Sequence, residues 1–290
     1  MKKLIPAVLC AFLVCFLLVL SAELSGAGAE RSTLHFGDCP APVPAWEQPA
    51  EPEVRPPENI LIQAPTAQKK DKKQGQTAKF PKDILQGNLL QSLLVPVHDD
   101  DPPNDELQRY VHSQAKVSGD TIRITAIREE NGYLSAQLRS SISFLYGDFT
   151  FRVKTMTGDG LFPAIWMLPA SGEKLPEVDI YEALGNSPQY VFGVMHYLEN
   201  GNQTRSSFVK NNQTEYHTIR LHWTEHFLTW YVDGELAHSI LDHVPREPMY
   251  LLINLAIGGN WPGDPTEDTE FPAVFESQVL DFQPESIFIR

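Results

Sequence analysis

The hexapeptide Glu177-Val178-Asp179-Ile180-Tyr181-Glu182 sets three carboxylates among β-branched and aromatic residues. Side chains alternate across a strand, so Glu177 and Asp179 fall on one face and Val178 and Ile180 on the other. That is the pattern of a strand with one buried face. Glu182 is out of phase by one residue. A single β-bulge at Ile180 or Tyr181 returns it to the face of Glu177 and Asp179. Like charges in such a row repel and push their pKa values apart. One ionised and one protonated carboxyl group is the requirement of glycoside cleavage. Four pleat steps of about 3.3 Å put the two glutamate backbones about 13 Å apart, so their side chains must lean together, which a curved or bulged strand allows. An acidic, solvated strand face is the plainer reading of so short a pattern, and the flanking sequence decides between the two.

Outward from this stretch the chain reads as many short strands. Thr121–Ala126 and Phe149–Lys154 alternate in polarity, and Phe227–Val232 runs into Asp233-Gly234, a two-residue hairpin signal. Met249–Ala256 is apolar at every position except Asn254, as in a central strand buried on both faces. Gly, Asn and Pro punctuate the strands every 8–12 residues or so, and no long stretch has a 3.6-residue period. The expected class is all-β, a two-sheet sandwich.

The segments around the acid row resemble the laminarinase-like members of glycoside hydrolase family 16. Gly160-Leu161-Phe162-Pro163-Ala164-Ile165-Trp166-Met167-Leu168-Pro169 is similar to that family's strand before the acids, and Gly193-Val194-Met195-His196-Tyr197 to the strand after them. Leu252–Gly263, which contains Gly258-Gly259-Asn260-Trp261-Pro262-Gly263, and Asn104–Tyr110 complete the series in order over about residues 104–275. The resemblance implies a β-jelly roll of two curved antiparallel sheets with a concave substrate cleft, in a catalytic domain spanning 81–290. It implies Glu177 as nucleophile, Glu182 as acid and then base, and Asp179 between them holding a proton in place. It also implies that Asn104, Phe162, Trp166, His196, Asn260 and Trp261 line the cleft, with Trp166 and Trp261 as stacking platforms. Phe162 and Gln137 stand where the family usually carries Trp and Arg. Arg152 lies near a position where it often has Glu, and serves either in an ion pair under the sheet or in the cleft.

Lys2-Lys3, the apolar run Leu4–Ala22 and Ala27-Gly28-Ala29 have the layout of a secretory signal peptide over 1–29. Retained, the same run is long enough to tether the chain to a membrane. Either case puts the enzyme outside the cytoplasm, in the periplasm or the medium. Residues 30–80 read as a linker: twelve of the 23 prolines lie between Pro40 and Pro103, and Lys69–Gln76 is a solvated, charged run. Of three cysteines only Cys39 follows the apolar run, so no internal disulfide supports the fold. A net charge of −14 argues against nucleic acid or an anionic membrane surface as a partner. The resemblance implies a polysaccharide substrate, and a monomer is expected.

His222 and His226 have the spacing of a zinc helix but lack its His-Glu start and sit between strands. No metal or other cofactor is expected, because carboxylates suffice. The expected function is a secreted, retaining endo-glycosidase acting on β-1,3-glucan. A galactan or bacterial exopolysaccharide hydrolase, a transglycosylase and a non-catalytic carbohydrate-binding protein are the alternatives.

Overall fold

The computed structural model describes residues 92–211 and 214–289. The expected export signal and linker, Cys39 and residues 81–91 of the expected catalytic domain fall outside the described residues. The chain forms β1 (Leu94–Val97), β2 (Gln108–Tyr110), β3 (Ala115–Ser118), β4 (Thr121–Glu129), β5 (Gly132–Ser135), β6 (Gln137–Ser140), β7 (Ile142–Lys154) and β8 (Leu161–Pro169). It continues through β9 (Glu177–Glu182), β10 (Tyr190–Glu199), β11 (Asn202–Asn211), β12 (Tyr216–Trp223), β13 (Leu228–Val232), β14 (Glu235–Ile240), β15 (Met249–Ile257) and β16 (Ala273–Ile289).

These strands make the β-jelly roll sandwich expected from the sequence. One layer runs β11-β10-β9-β8-β15-β6-β1, antiparallel throughout. The other runs β14-β13-β12-β7-β16-β4, with β3 and β5 both paired to β4. A single pairing, Met249 with Phe144, joins β15 to β7. The departure from an all-antiparallel scheme is the short parallel pair of β2 and β5.

The apolar alternation decides which face each strand buries. Phe149, Phe151 and Val153 of β7 meet Ile165 and Met167 of β8, and Val178 and Ile180 of β9, in one continuous core. Full burial contributes roughly 1.5–3 kcal/mol for each such side chain. β15 is buried at every position except Tyr250, as its nearly continuous apolar run, interrupted by Asn254, predicts. It lies between β8 and β6, so both its hydrogen-bonding edges are paired within the sheet.

Two hairpins follow from their turn residues. Asp233 and Gly234 have φ of 53° and 82°, and Asn200 and Gly201 have φ of 52° and 81°. Positive φ at both central residues matches the strand twist, and Asx-Gly pairs adopt it cheaply. Gly193 of β10 has another use: a Cβ there would collide with the Phe208 ring and approach Trp230 Cδ1 at 3.1 Å. Its bare backbone lets Trp230 of β13 reach across the sandwich and donate its indole N–H to the Asp179 carbonyl at 3.2 Å.

Arg152 lies on β7, in the layer without the cleft, and its guanidinium sits 4.0 Å over the Tyr216 ring. The cleft role left open for it is therefore excluded, and a cation–π contact on the outer face takes its place. His222 Nδ1 lies 3.0 Å from an Asp148 carboxylate oxygen, and Asp148 also accepts a hydrogen bond from Arg220 Nε at 2.7 Å. The His222/His226 pair is thus part of a strand end and a turn, not a zinc helix.

Candidate active site

β9 carries the bulge that the acid spacing requires. Against β8, Ile165 pairs with Tyr181 and Trp166 with Asp179, so Ile180 has no partner. Against β10, Phe192 pairs with Glu182 and Val194 with Asp179, so Gly193 alone faces both Ile180 and Tyr181. Ile180 and Tyr181 both turn into the core, and Tyr181 stacks on Phe275 of β16 with ring centroids 6.1 Å apart. The two consecutive core side chains anchor the bulge and return Glu182 to the outer face beside Glu177 and Asp179.

Cross-strand register builds the rest of the site. One row across the outer face reads Arg139, Leu252, Trp166, Asp179, Val194 and Ser207. A second reads Gln137, Asn254, Ala164, Glu182, Phe192 and Val209. A third holds Glu177, His196 and Arg205. Three acids, an imidazole and a guanidinium thus share one patch. His196 Nε2 lies 3.8 Å from Glu177 Oε1 and 3.4 Å from Asp179 Oδ2.

Burial grades the acids. Glu177 keeps 29% of its side chain exposed and Asp179 only 5%. Desolvation raises the Glu177 pKa, and the neighbouring His196 offsets part of this. Desolvation and the Glu177 charge hold Asp179 well above the usual carboxylate range. Desolvation, then Asp179 and Glu177, do the same to Glu182, opposed by Arg205. His196 is pushed down by burial. As pH rises Glu177 therefore ionises first, while Asp179 and Glu182 keep protons into a higher range. Asp179 Oδ2 is buried and accepts no hydrogen bond among the described residues, as suits a carboxyl group held neutral.

Trp166 is fixed by a directed chain of hydrogen bonds. Its indole N–H donates to Asn254 Oδ1 at 2.7 Å, Asn254 Nδ2 donates to the Tyr110 hydroxyl at 3.2 Å, and that hydroxyl donates to Glu106 Oε2 at 3.1 Å. Gln108 Nε2 donates to the same Glu106 oxygen at 2.6 Å, and its own carbonyl accepts from the Ile257 amide at 2.7 Å. Burial raises the Glu106 pKa, and these donors counter it.

Trp261 stands 43% exposed at the Glu182 end of the patch. Phe162 and Phe192 meet it edge-on, with centroids 5.3 and 5.0 Å away. Asn260 donates from its backbone amide and from Nδ2 to the Asn104 carbonyl, at 3.1 and 3.2 Å. Asn104 and Asn260 therefore brace the loop that presents Trp261. All nine residues singled out in the sequence lie on this face or on the loop at its edge. Phe192, Arg205 and Asn254 belong to it as well and were not anticipated. Phe192 shares the period-two alternation of His196, which was signal enough to find it.

Glu177, Asp179 and His196 each offer one ligand atom within 4.8 Å of the others, so a divalent cation could be held there. Such an ion would need both acids ionised.

Comparison with known proteins agrees with this geometry. Residues 104–272 match the sequence model of "Glycosyl hydrolases family 16". The "Beta-glucanase" of Rhodothermus marinus is 32% identical over 203 residues, covering 59% of this chain and 71% of that protein. The "Endo-1,3-1,4-beta-glycanase EglC" of Rhizobium meliloti (strain 1021) is 35% identical over 187 residues, 57% of this chain, and the match spans only 40% of EglC. The solved laminarinase catalytic domain of Thermotoga maritima MSB8 superposes with a TM-score of 0.56 at 28% identity, over 64% of this chain and 90% of that one. The acid row, its bulge and the family match over residues 104–272 converge: the chain is a glycoside hydrolase and belongs to glycosyl hydrolases family 16.

Proposed function

We propose that the chain is a retaining endo-glucanase that hydrolyses internal β-1,3 bonds of a glucan, alone or in mixed 1,3-1,4 linkage. The observation that carries this reading is the bulge at Ile180, which sets Glu177, Asp179 and Glu182 on one outer face with different tendencies to ionise. The named activities of the β-glucanase and EglC relatives support the substrate class.

In this reading ionised Glu177 attacks the anomeric carbon while protonated Glu182 donates its proton to the departing oxygen. A covalent glycosyl-enzyme forms and the shortened glucan leaves. Glu182, now a carboxylate, takes a proton from water, whose oxygen displaces Glu177 and restores both groups. Asp179 keeps a proton between the two, and His196 steadies the Glu177 charge. Trp166 and Trp261 supply flat apolar surfaces for sugar rings. The substrate is an extracellular polymer, and the export signal read in residues 1–29 fits an enzyme released from the cell.

The test is reducing-sugar release from laminarin, lichenan, agarose and carrageenan, with Glu177→Gln beside the wild type. Release from laminarin or lichenan that the substitution abolishes supports the proposal. Release confined to agarose or carrageenan assigns a galactanase instead. Binding without release on any polymer sinks the enzymatic reading of this cleft.

A further inference from the structure

Two fully buried tryptophans, Trp223 on β12 and Trp230 on β13, each give their indole N–H to a backbone carbonyl. Trp223 donates to Pro245 at 3.1 Å, in the segment between β14 and β15. Trp230 donates to Asp179 at 3.2 Å, across the sandwich and into the middle of the acid row. β9 has a neighbour on each side, so in a regular ladder the Asp179 carbonyl would be served by an amide of β8 or β10. The ladder is broken at this point, where Ile180 is the extra residue. The oxygen that Trp230 holds belongs to the 179–180 peptide group, which opens the bulge.

Gly193 ties these two features together. It alone faces both Ile180 and Tyr181, and the place of its missing Cβ lies 3.1 Å from Trp230 Cδ1, the atom next to the donor nitrogen. The residue opposite the bulge is thus also the gap that admits the indole edge. The ring is gripped by the edge strands of both layers. Phe208 of β11 and His238 of β14 stand 6.1 and 5.9 Å from it, centroid to centroid, and His238 Nε2 lies 2.7 Å from Ser206 Oγ of β11. Packing on three sides therefore sets the donor, and the donor sets the peptide plane.

That plane decides where Glu182 lands. Glu177 and Glu182 flank the bulge along β9, and retaining chemistry needs their carboxyl groups about 5–5.5 Å apart. Rotation of the 179–180 peptide would carry one against the other, and a misplacement of about 1 Å can cost on the order of 100-fold in rate. We propose that Trp230 is a positioning residue for the acid row: from the opposite layer it fixes the peptide that opens the bulge, and through it the placing of Glu182 against Glu177. The proposal rests on the retaining-glucanase reading above. Trp230 is fully buried and acts only through β9. A loosened bulge would also hydrate Glu182 and part it from Asp179 and Glu177, the three causes that raise its pKa, while His196 on β10 and Arg205 on β11 keep their places.

Trp230→Phe keeps an aromatic ring and drops the N–H, and Trp223→Phe makes the same change at the matched site. Both are assayed beside wild type on laminarin and lichenan, with melting temperatures and kcat/KM–pH profiles. Both should melt below wild type. Only Trp230→Phe should lose kcat, by about ten- to a hundredfold with KM held, and move the alkaline limb to lower pH. If Trp230→Phe does not fold, benzothienylalanine placed at position 230, a bicyclic isostere with sulfur in place of the N–H, is read against the same expectation. Unchanged kcat and pH profile in the folded variant overturn the proposal while leaving glucanase activity standing. A change confined to KM overturns it too. So does an equal loss of kcat in both variants, since the two indoles then serve the core alike. Wild type idle on both glucans defeats the glucanase reading and this one with it.

Discussion

His196 Nε2 sits 3.4 Å from Asp179 Oδ2, yet that buried oxygen accepts no hydrogen bond among the described residues. The imidazole is near enough to sense Asp179 without satisfying it. Since the folded pKa of Asp179 is raised, ionising it opposes folding. The cost is absent below the ordinary aspartate pKa of about 3.9. It grows as pH rises and is complete above the folded value. Asp179→Asn is therefore expected to raise the melting temperature at pH 8 by about 2–4 °C, the size of a change near 1 kcal/mol in a domain of this length. The gain should vanish near pH 4. Melting curves at the two pH values check this, and a gain of equal size at both would exclude an ionisation origin. The same change should lower kcat, as stabilised active sites commonly do.

Glu182→Gln removes the proposed proton donor. General acid catalysis typically contributes 10²–10⁴-fold. The expected loss in kcat is about that large, with KM on laminarin little changed. Steady-state kinetics decide it, and retention of more than about a tenth of kcat would move the acid role elsewhere.

The charge of Arg205 favours ionised Glu182. Arg205→Gln should therefore raise the Glu182 pKa and shift the alkaline limb of the kcat/KM profile upward. The acidic limb, which the proposed mechanism assigns to Glu177, should lie above the unperturbed glutamate value of about 4.3 in both proteins. A profile in which the alkaline limb moves down contradicts the assignment.

Asn254→Ala leaves the Trp166 N–H and the Tyr110 hydroxyl each short of one partner in a buried setting. The expected cost is about 1–3 kcal/mol of stability. Chemical denaturation measures that cost. KM should rise as Trp166 loses its orientation, and an unchanged KM would remove Trp166 from the binding surface.

Trp261→Ala should act differently, because the ring stands 43% exposed. Stability should change by less than about 0.5 kcal/mol. KM should rise roughly 5–30-fold, equivalent to about 1–2 kcal/mol of lost contact. Calorimetry and kinetics on one preparation separate the two effects.

Much of this was legible where local chemistry dictates geometry. The bulge followed from acid spacing and strand parity, the β13/β14 hairpin from Asp233-Gly234, and the double burial of β15 from its run of apolar residues. Arg205 was missed although its place was computable. Asn200-Gly201 forms a two-residue turn that pairs Glu199 with Asn202, so three residues back and three residues on, His196 must face Arg205. The chain from Trp166 to Glu106 was not legible in the same way. It joins β8, β15, β2 and the segment before β2, and its contacts depend on pairings between strands far apart in sequence. Arg152 failed for a related reason: alternation gives a residue its face but not the sheet to which its strand belongs.

The unpaired Ile180 gives the gene an unusual sensitivity. Loss of that one codon in frame would leave every carboxylate in the protein and yet aim one of them at the hydrophobic interior. Substitution scanning, which preserves chain length, would record Ile180 as an ordinary buried aliphatic position, tolerant of valine or leucine. Only a single-residue deletion exposes what the position does. Strand length, counted in whole residues, is here as much a catalytic parameter as any side chain.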